Sequence, residues 1–297
     1  MKYLSVVEIA KKWGISERSV RNYCNMGRVQ GAFLTGKTWN IPEDAEKPSR
    51  IPKQSKKPVN LLEVLKREKE SKLSGGIYHK IQVDLTYNSN HIEGSRLTHE
   101  QTRYIFETNT IGISDDIVNV DDIVETANHF KCIDMIIEYA THILSEKFIK
   151  ELHFVLKNGT SDSRKSWFAV GDYKKFANEV GGHDTTSPEY VPSEMKKLIN
   201  NYNNKKNISF EDILEFHYQF EVIHPFQDGN GRIGRLIMFK ECIKHNIVPF
   251  IINEDIKVFY CRVLNQWKRE RGYLRDTCLL AQDQFKKIMD YFQIPYE

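Results

Sequence analysis

The segment His224–Arg235, His-Pro-Phe-Gln-Asp-Gly-Asn-Gly-Arg-Ile-Gly-Arg, brings an imidazole, a carboxylate, glycines and two arginines together within twelve residues. A neutral imidazole can accept a proton from a hydroxyl, because its ordinary pKa is about 6.5. Arginine binds phosphate oxygens in pairs through its planar guanidinium group. A carboxylate suits Mg²⁺, which leaves its other positions to water and phosphate. These residue types together predict a site that handles polyphosphate.

Two helices are predicted to position these groups. Apolar residues at helical spacing before the segment predict a buried helix that ends near His224, since Pro225 disfavours helical geometry at the residue before it. A second helix is predicted to begin at Asp228, where flanking glycines let the backbone approach an anion at the positive end of the helix dipole. Arg232 and Arg235 then project from one face of its first turns. Because acids are favoured at a helix N-terminus, these arginines require an anionic partner or a solvated face.

Gly229, Gly231 and Gly234 also satisfy the G-x-G-x-x-G pattern of dinucleotide-binding folds. That pattern has meaning only after a buried β-strand, with an acidic residue about twenty positions later. Asp255 falls at a tolerable distance, but a helix and a proline precede the glycines. A Walker P-loop is disfavoured as well, because no Gly-Lys-Ser/Thr follows them.

The segment resembles the signature of Fic-domain proteins, H-P-F-x-[D/E]-G-N-G-R-x-x-R, and meets every fixed position. This resemblance implies transfer of AMP from the substrate ATP to a hydroxyl side chain of a protein, with pyrophosphate leaving. By that analogy His224 deprotonates the target Ser, Thr or Tyr, Asp228 holds Mg²⁺, and Phe226 anchors the loop in the core. The nucleotide-binding positions implied in the segment are the anion hole Gly229, Asn230 and Gly231, and the phosphate-binding Arg232 and Arg235. Members that phosphorylate carry lysine in place of Gly231, which argues against that activity.

Residues 89–94, Ser-Asn-His-Ile-Glu-Gly, resemble the inhibitory helix of many Fic proteins, [S/T]-x-x-x-E-[G/N]. The resemblance implies that Glu93 pairs with Arg235 and that the chain is similar to the class with an N-terminal inhibitory helix. A helix around residues 79–94 is also predicted independently, since Gly94 is a natural terminator. An acid in its last turn is disfavoured by the dipole, so Glu93 is better explained by a cationic partner. Ser89, one turn earlier, is expected to hold the carboxylate; a solvated helix end is the alternative.

Turn formers and β-tolerant residues between positions 171 and 192 interrupt an otherwise helical chain. The resemblance implies a β-hairpin flap here, which covers the nucleotide and to which a segment of the protein substrate adds as a strand. The candidate nucleotide contacts outside the signature are Val180, Gly181, Gly182 and His183 on the flap, and Tyr260 near adenine. Ordinary hairpin and core positions are the alternative for all five. Lys174 stands where many members carry arginine.

Charge marks a domain boundary. Residues 1–58 carry a net charge of +7, which leaves −4 of the whole-chain +3 for the rest. Basic residues and prolines predict a semi-rigid linker over residues 48–58. Residues 1–47 resemble the winged helix-turn-helix of the MerR and excisionase type, whose second helix enters the major groove of DNA. The residues expected to face DNA are Arg18, Ser19, Arg21 and Asn22. A module for protein contacts and a solvated basic face are the alternatives.

The expected fold is mainly α: a Fic-type helical domain over residues 59–297 with a β-hairpin flap, preceded by a small winged helix-turn-helix. One of its helices is predicted over Asp121–His142. No apolar run is long enough for a membrane span, and no continuous apolar stretch follows the N-terminus, so a cytoplasmic protein is expected. Five cysteines without a C-x-x-C pair favour reduced thiols and disfavour a zinc site.

The sequence therefore predicts a protein adenylyltransferase that uses ATP and Mg²⁺ and is inhibited by Glu93. Two alternatives stay open. The first is a deAMPylase or bifunctional enzyme in which Glu93 orients a water, and the second is an ATP-sensing DNA-binding regulator. The expected partners are a protein substrate on the flap and DNA on residues 1–47, with a homodimer left open.

Overall fold

The computed structural model describes residues 2–36, 38–48, 60–112, 117–180, 182–266 and 271–296. The chain divides into two compact units, residues 1–57 and residues 58–297. Most of the predicted linker and the flap candidate Gly181 lie outside the described residues. Within the described ranges, no helix is long and apolar enough to cross a membrane.

The N-terminal unit consists of two helices and a small antiparallel sheet. Its elements are β1 (Tyr3–Leu4), α1 (Val6–Trp13), α2 (Glu17–Asn25), β2 (Phe33–Thr35) and β3 (Thr38–Pro42), and the strand order is β1-β3-β2. Ser5 caps α1 and Ser16 caps α2 through their hydroxyl groups, while Gly14, at φ 64°, ends α1 in a left-handed conformation. The assignment of these two helices and the β2–β3 hairpin as a winged helix-turn-helix stays a prediction.

In the part that the structure describes, the second unit is mainly helical and has one short hairpin. Its helices are α3 (Leu61–Ser71), α4 (Ile77–Ile92), α5 (His99–Thr108), α6 (Val120–Glu138), α7 (Glu146–Lys157), α8 (Val191–Asn203), α9 (Phe210–Ile223), α10 (Asn230–Lys244), α11 (Glu254–Gln266) and α12 (Arg271–Tyr291). The hairpin pairs β4 (Glu179–Val180) with β5 (His183–Asp184) in antiparallel register. Helix α6 ends at Glu138, earlier than the predicted His142. The apolar pattern does not mark the end of this helix, because Ala140 and Leu144 after it are also buried.

Helix α10 lies in the core of this unit. All of its residues except Gly231 and Lys244 are buried, and it packs against α3, α4, α6, α7 and α9. Gly234 allows the close approach of α9, because a Cβ atom at this position would lie 2.8 Å from Oε1 of Glu221 and from the ring of His217. The third glycine of the apparent dinucleotide pattern therefore serves helix packing.

Candidate functional site

The signature loop, residues 224–229, connects α9 to α10. His224 ends α9 with a left-handed φ of 49°, and Gly229 precedes α10 with φ 82°. Phe226 is fully buried and anchors the loop, as expected. The side chain of Asn230 closes the loop, because its Oδ1 accepts from the Phe226 amide at 2.8 Å and its Nδ2 donates to the Phe226 carbonyl at 2.8 Å. Asn230 thus leaves only its backbone amide to face an anion.

The predicted N-cap, Asp228, does not cap α10. Its Oδ2 accepts from Nζ of Lys157 at 2.6 Å and from Nη2 of Arg232 at 3.2 Å. These cations take the carboxylate away from the helix terminus, and Gly229 stands at the N-cap position instead. Burial raises the pKa of Asp228, but Arg232 and Lys157 outweigh it and lower that pKa well below its ordinary value, so the carboxylate stays charged.

A network of ion pairs around the buried Lys157 holds Asp228 and Arg232 in place. Lys157, whose side chain is 2% exposed, donates to Glu125, to Asp162 Oδ2 at 3.0 Å and to Asp228. Arg232 also pairs with Glu125 and is buried. Its guanidinium is therefore engaged inside the protein, whereas the family resemblance implied that it binds outer phosphates beside Arg235. The contributions of Lys157 and Glu125 were missed, since both lie far from the signature in the sequence.

Arg235 is held by α4. Its Nε donates to Ser89 Oγ at 3.0 Å, and its Nη2 donates to the Ser89 carbonyl at 2.9 Å and to Glu93 Oε1 at 2.7 Å. Ser89 thus binds the guanidinium rather than the carboxylate it was expected to hold. Helix α4 ends at Ile92, with Glu93 at its C-cap and Gly94 following at φ 98°.

The carboxylate of Glu93 lies on the first turn of α10. A Cβ atom at Gly231 would lie 2.3 Å from Glu93 Oε1 and 2.9 Å from Arg235 Nη1. Burial raises the pKa of Glu93, but Arg235 and Arg232 outweigh it and lower the pKa below its ordinary value. The charged Oε1 of Glu93 therefore lies against Gly231 in the first turn of α10. An anion is favoured at this place because it is the N-terminus of a helix.

His224 is a neutral imidazole at neutral pH. Its side chain is 15% exposed, and burial, with a contribution from the Lys174 charge, lowers its pKa to about 4. An uncharged ring nitrogen is what a proton acceptor requires.

Lys174 ties the hairpin to the signature loop. Its amide donates to the Pro225 carbonyl at 2.8 Å, and its Nζ donates to Asn178 Oδ1 and Thr185 Oγ1, both at 2.6 Å. Burial lowers the pKa of Lys174 to about 8. Asn178 and Thr185 flank β4 and β5, so the base of the hairpin is fixed beside the loop. Whether the hairpin covers a nucleotide stays a prediction.

The remaining flap candidates and Tyr260 differ in accessibility. Val180 is exposed, Gly182 turns the hairpin at φ 77°, and the described part of His183 is its backbone in β5. Tyr260 is buried, with its hydroxyl hydrogen-bonded to His217 Nε2. The Tyr260 ring belongs to a core cluster that includes Ile213 and Leu214 of α9, and its place near adenine stays a prediction.

On the N-terminal unit, three of the four predicted DNA contacts are exposed on α2: Arg18, Arg21 and Asn22. Arg21 pairs with Glu17 at 3.0 Å. Ser19 is half-buried, and its hydroxyl bonds that of Ser16 at 2.9 Å, so it is engaged in capping α2.

The residues present fit a magnesium ion that arrives with phosphates. No group of three or more metal-binding side chains occurs among the described residues. Asp228 offers one carboxylate whose side chain is 46% exposed, and Mg²⁺ in phosphate-transfer sites commonly uses one or two carboxylates.

Comparison with known proteins identifies relatives of this chain. Residues 143–242 match the Fic/DOC family. The chain is 27% identical over 184 residues to a protein adenylyltransferase Fic of Nematostella vectensis and 25% identical over 236 residues to that of Drosophila mojavensis. These alignments cover 61% and 77% of this chain but 42% and 43% of the relatives, so the chain spans less than half the length of the curated proteins it matches.

Solved structures share the fold. A Fic domain containing signaling protein from Bacteroides thetaiotaomicron is 26% identical and aligns with a TM-score of 0.58 over 77% of this chain and 90% of that one. Fic-1 from Caenorhabditis elegans, at 20% identity, shows the same fold with a TM-score of 0.59 over 75% of this chain and 66% of its own. Over residues 143–242 the chain is therefore similar to the Fic/DOC family, and its homologues are named protein adenylyltransferases, a nucleotidyltransferase activity.

Proposed function

We propose that this chain transfers AMP from ATP to a Ser, Thr or Tyr hydroxyl of a protein, and that Glu93 inhibits the transfer. The observation that carries the proposal is the position of the Glu93 carboxylate, bonded to Arg235 and lying on Gly231. A carboxylate at this place mimics the anion that a helix N-terminus and an arginine would bind. We call the Glu93–Arg235 ion pair the inhibitory contact.

In the proposed reaction, the target hydroxyl oxygen attacks the α-phosphorus of ATP. The bond between that phosphorus and the oxygen bridging to the β-phosphate breaks, and pyrophosphate leaves. His224 accepts the hydroxyl proton, and the amides that open α10 stabilise the charge on the phosphate. Asp228 would hold Mg²⁺, which screens phosphate charge when bound.

The two signature arginines have different roles in this proposal. Arg235 binds an outer phosphate once Glu93 has left, because Glu93 comes from another helix and its side chain can rotate away. Arg232 remains paired with Glu125 and fixes Asp228. The protein substrate docks on the β4–β5 hairpin as an added strand.

The proposal is tested by labelling cell proteins with α-³²P-labelled ATP. Glu93→Gly should increase labelling, because it frees Arg235, and Glu93→Gly combined with His224→Ala should label nothing. The matched control, Glu93→Gly with His142→Ala, removes an exposed histidine outside the site and should label as strongly as Glu93→Gly alone. Absence of labelling by Glu93→Gly in any lysate would refute the transferase proposal.

The same variants distinguish the reverse reaction. A charged Glu93 beside the anion site is also placed to orient a water, so hydrolysis of an AMPylated protein is the second candidate. A deAMPylase would release AMP with the native chain and lose this activity in Glu93→Gly.

We also propose that residues 1–47 bind DNA through α2. The support is the exposure of Arg18, Arg21 and Asn22, together with the net charge of +7 on residues 1–58. Retention of DNA by the full chain should weaken with added salt, and Arg18→Ala should reduce the salt slope by about one. Arg103→Ala, which removes an exposed arginine of the other unit, should leave both unchanged. Retention that is insensitive to salt and to Arg18→Ala would refute DNA binding and favour a module for protein contacts.

A further inference from the structure

Glu221 lies one turn before His224 on α9, and its carboxylate is buried behind the imidazole. The residue is 7% exposed, and its Oε2 lies 3.7 Å from Nδ1 of His224. His224 Nδ1 and Glu221 Oε1 are both shielded from solvent, and neither has a side-chain hydrogen-bond partner among the described residues. The backbone carbonyl of Glu221 also lies beside the imidazole and acts to raise the pKa of His224. A buried carboxylate thus lies next to the proposed proton acceptor, with Oε2 on the side of the imidazole.

Two further groups lie near this carboxylate. Arg235 on α10 donates to Ser89 and Glu93. His217 Nδ1 lies on the side of Oε1, since a Cβ atom at Gly234 would be 2.8 Å from both of these atoms, whereas Oε2 is the oxygen nearer to His224. The titratable or charged groups that interact with Glu221 or His224 among the described residues are His217 on α9, Arg235 on α10, Glu93 after α4, Tyr260 and Cys261 on α11, Asp228 in the signature loop and Lys174 before the hairpin. Gly234 leaves room for the carboxylate, since a Cβ there would lie 2.8 Å from Glu221 Oε1.

The partner of Nδ1 matters because a neutral imidazole carries one proton on one of two nitrogens. The group bonded to one nitrogen fixes which nitrogen is protonated. An ionised carboxylate beside Nδ1 accepts from Nδ1–H and leaves Nε2 free to take up a proton. A protonated carboxyl would instead donate to Nδ1 and place the ring proton on Nε2, where it blocks the base.

We propose that Glu221 is a positioning residue for His224, whose ionised carboxylate accepts from Nδ1–H and directs Nε2 to the target hydroxyl. This inference rests on the proposed transferase function. During the step, the hydroxyl proton moves to Nε2, the imidazolium that forms is stabilised by Glu221, and the proton later passes from Nε2 to solvent. Glu221 itself neither gains nor loses a proton in the step.

The ionisation of Glu221 predicts a pH dependence with a defined sign. Burial raises the pKa of Glu221 to about 8; Arg235 lowers it and Glu93 raises it further. Transfer should therefore increase with pH as Glu221 ionises. Because the Glu93 charge contributes to the raised pKa, Glu93→Gly should move this increase to lower pH.

The test compares two substitutions of the same kind on α9 in the Glu93→Gly background. Glu221→Gln keeps the size of the side chain and removes its charge. Glu215→Gln is the matched control, since Glu215 accepts a hydrogen bond from Gln219, away from His224. We expect Glu221→Gln to lower kcat by at least about tenfold, to leave the KM for ATP unchanged, and to abolish the rise of kcat with pH. Glu215→Gln should change none of these.

A second measurement does not require activity. ¹⁵N NMR of the ring nitrogens, with the His224 signals assigned by their absence in His224→Ala, should show Nδ1 protonated in Glu93→Gly above the pKa of Glu221. That preference should be lost in Glu221→Gln.

Three results would overturn the inference. They are an unchanged kcat in Glu221→Gln, a kcat loss accompanied by a matching loss of ATP affinity, or a ring proton on Nε2 in the Glu93→Gly protein. If Glu93→Gly labels no protein, the transferase proposal fails, while the NMR result still decides whether Glu221 sets the tautomer.

Discussion

Glu93→Gly should strengthen ATP binding, and the structure gives the size of the effect. The inhibitory contact is a 2.7 Å hydrogen bond between charged groups, and such bonds contribute about 1.5–3 kcal/mol. The Glu93 side chain is 31% exposed, so solvent screening places this pair near 1.5 kcal/mol, which is about tenfold in affinity. Because the carboxylate also occupies the surface of Gly231, we expect an increase of about 10- to 100-fold.

The same substitution should lower stability when ATP is absent. Arg235 is buried, and without Glu93 its guanidinium loses its carboxylate partner while Nη2 still donates to the Ser89 carbonyl. A loss of about 1–2 kcal/mol in the free energy of unfolding follows. Saturating ATP should restore stability, because its phosphate replaces the carboxylate. A combined loss of stability and gain in ATP affinity in Glu93→Gly is the result expected if Glu93 and phosphate compete for Arg235.

Isothermal titration with ATP and Mg²⁺, together with urea unfolding, measures both effects. Glu93→Gln is the matched variant, since it keeps the volume and removes the charge, and its ATP affinity should fall between the native chain and Glu93→Gly. Equal ATP affinity in the native chain and Glu93→Gly would refute the reasoning that Glu93 and phosphate compete for one place.

Three further predictions concern the buried surroundings of the site. Lys157→Met leaves three carboxylates without their shared cation and should lower the free energy of unfolding in urea by about 3 kcal/mol; a loss below about 1 kcal/mol would show that the network is not stabilising. Burial lowers the pKa of His129 to about 3, so its contribution to stability is present above the unfolded pKa and is lost as pH falls from about 6.5 toward 3. His129→Gln should therefore reduce the change in the free energy of unfolding with pH by about 1.4 kcal/mol per pH unit between these values. If urea titrations at pH about 5 and 6 show the same change for the native chain and for His129→Gln, this prediction is wrong. Gly234→Ala should force α9 from α10 and lower stability by about 1–3 kcal/mol, whereas Gly112→Ala, with open space at its Cβ, should cost less than about 0.5 kcal/mol; equal thermal melting of the two variants would show that the helices accommodate the methyl group.

The local parts of the site were accessible from the sequence. Proline at 225 ends α9 where it should, and Gly94 follows the end of α4 with the positive φ that glycine favours. Pairing of Glu93 with Arg235 joins residues 142 positions apart. Helical spacing alone indicated only that each needed a partner of opposite charge, and the family resemblance named the pair.

The ion network beneath the signature was not accessible. The chain has 43 basic and 40 acidic residues, and neither spacing nor propensity indicates which of them meet across α6, α7 and α10. Arg232 was expected to face phosphate for this reason, since Glu125 was not recognised as its partner. Tyr260 shows the complementary difficulty, because an aromatic residue at helical spacing has the same pattern whether it packs in the core or faces a ligand.

Helix α4 and its C-cap hold Arg235 through Ser89 and Glu93, and the helix also contributes Ile81 and Leu85 to the core. Under the inhibition proposed above, the inhibitory element is therefore also part of the scaffold. We expect a shortened chain that lacks α4 to lose one side of its hydrophobic core and to unfold rather than to gain activity. Under the same proposal, single substitutions at the end of α4 would adjust the resting activity, whereas loss of the whole helix would cost the fold.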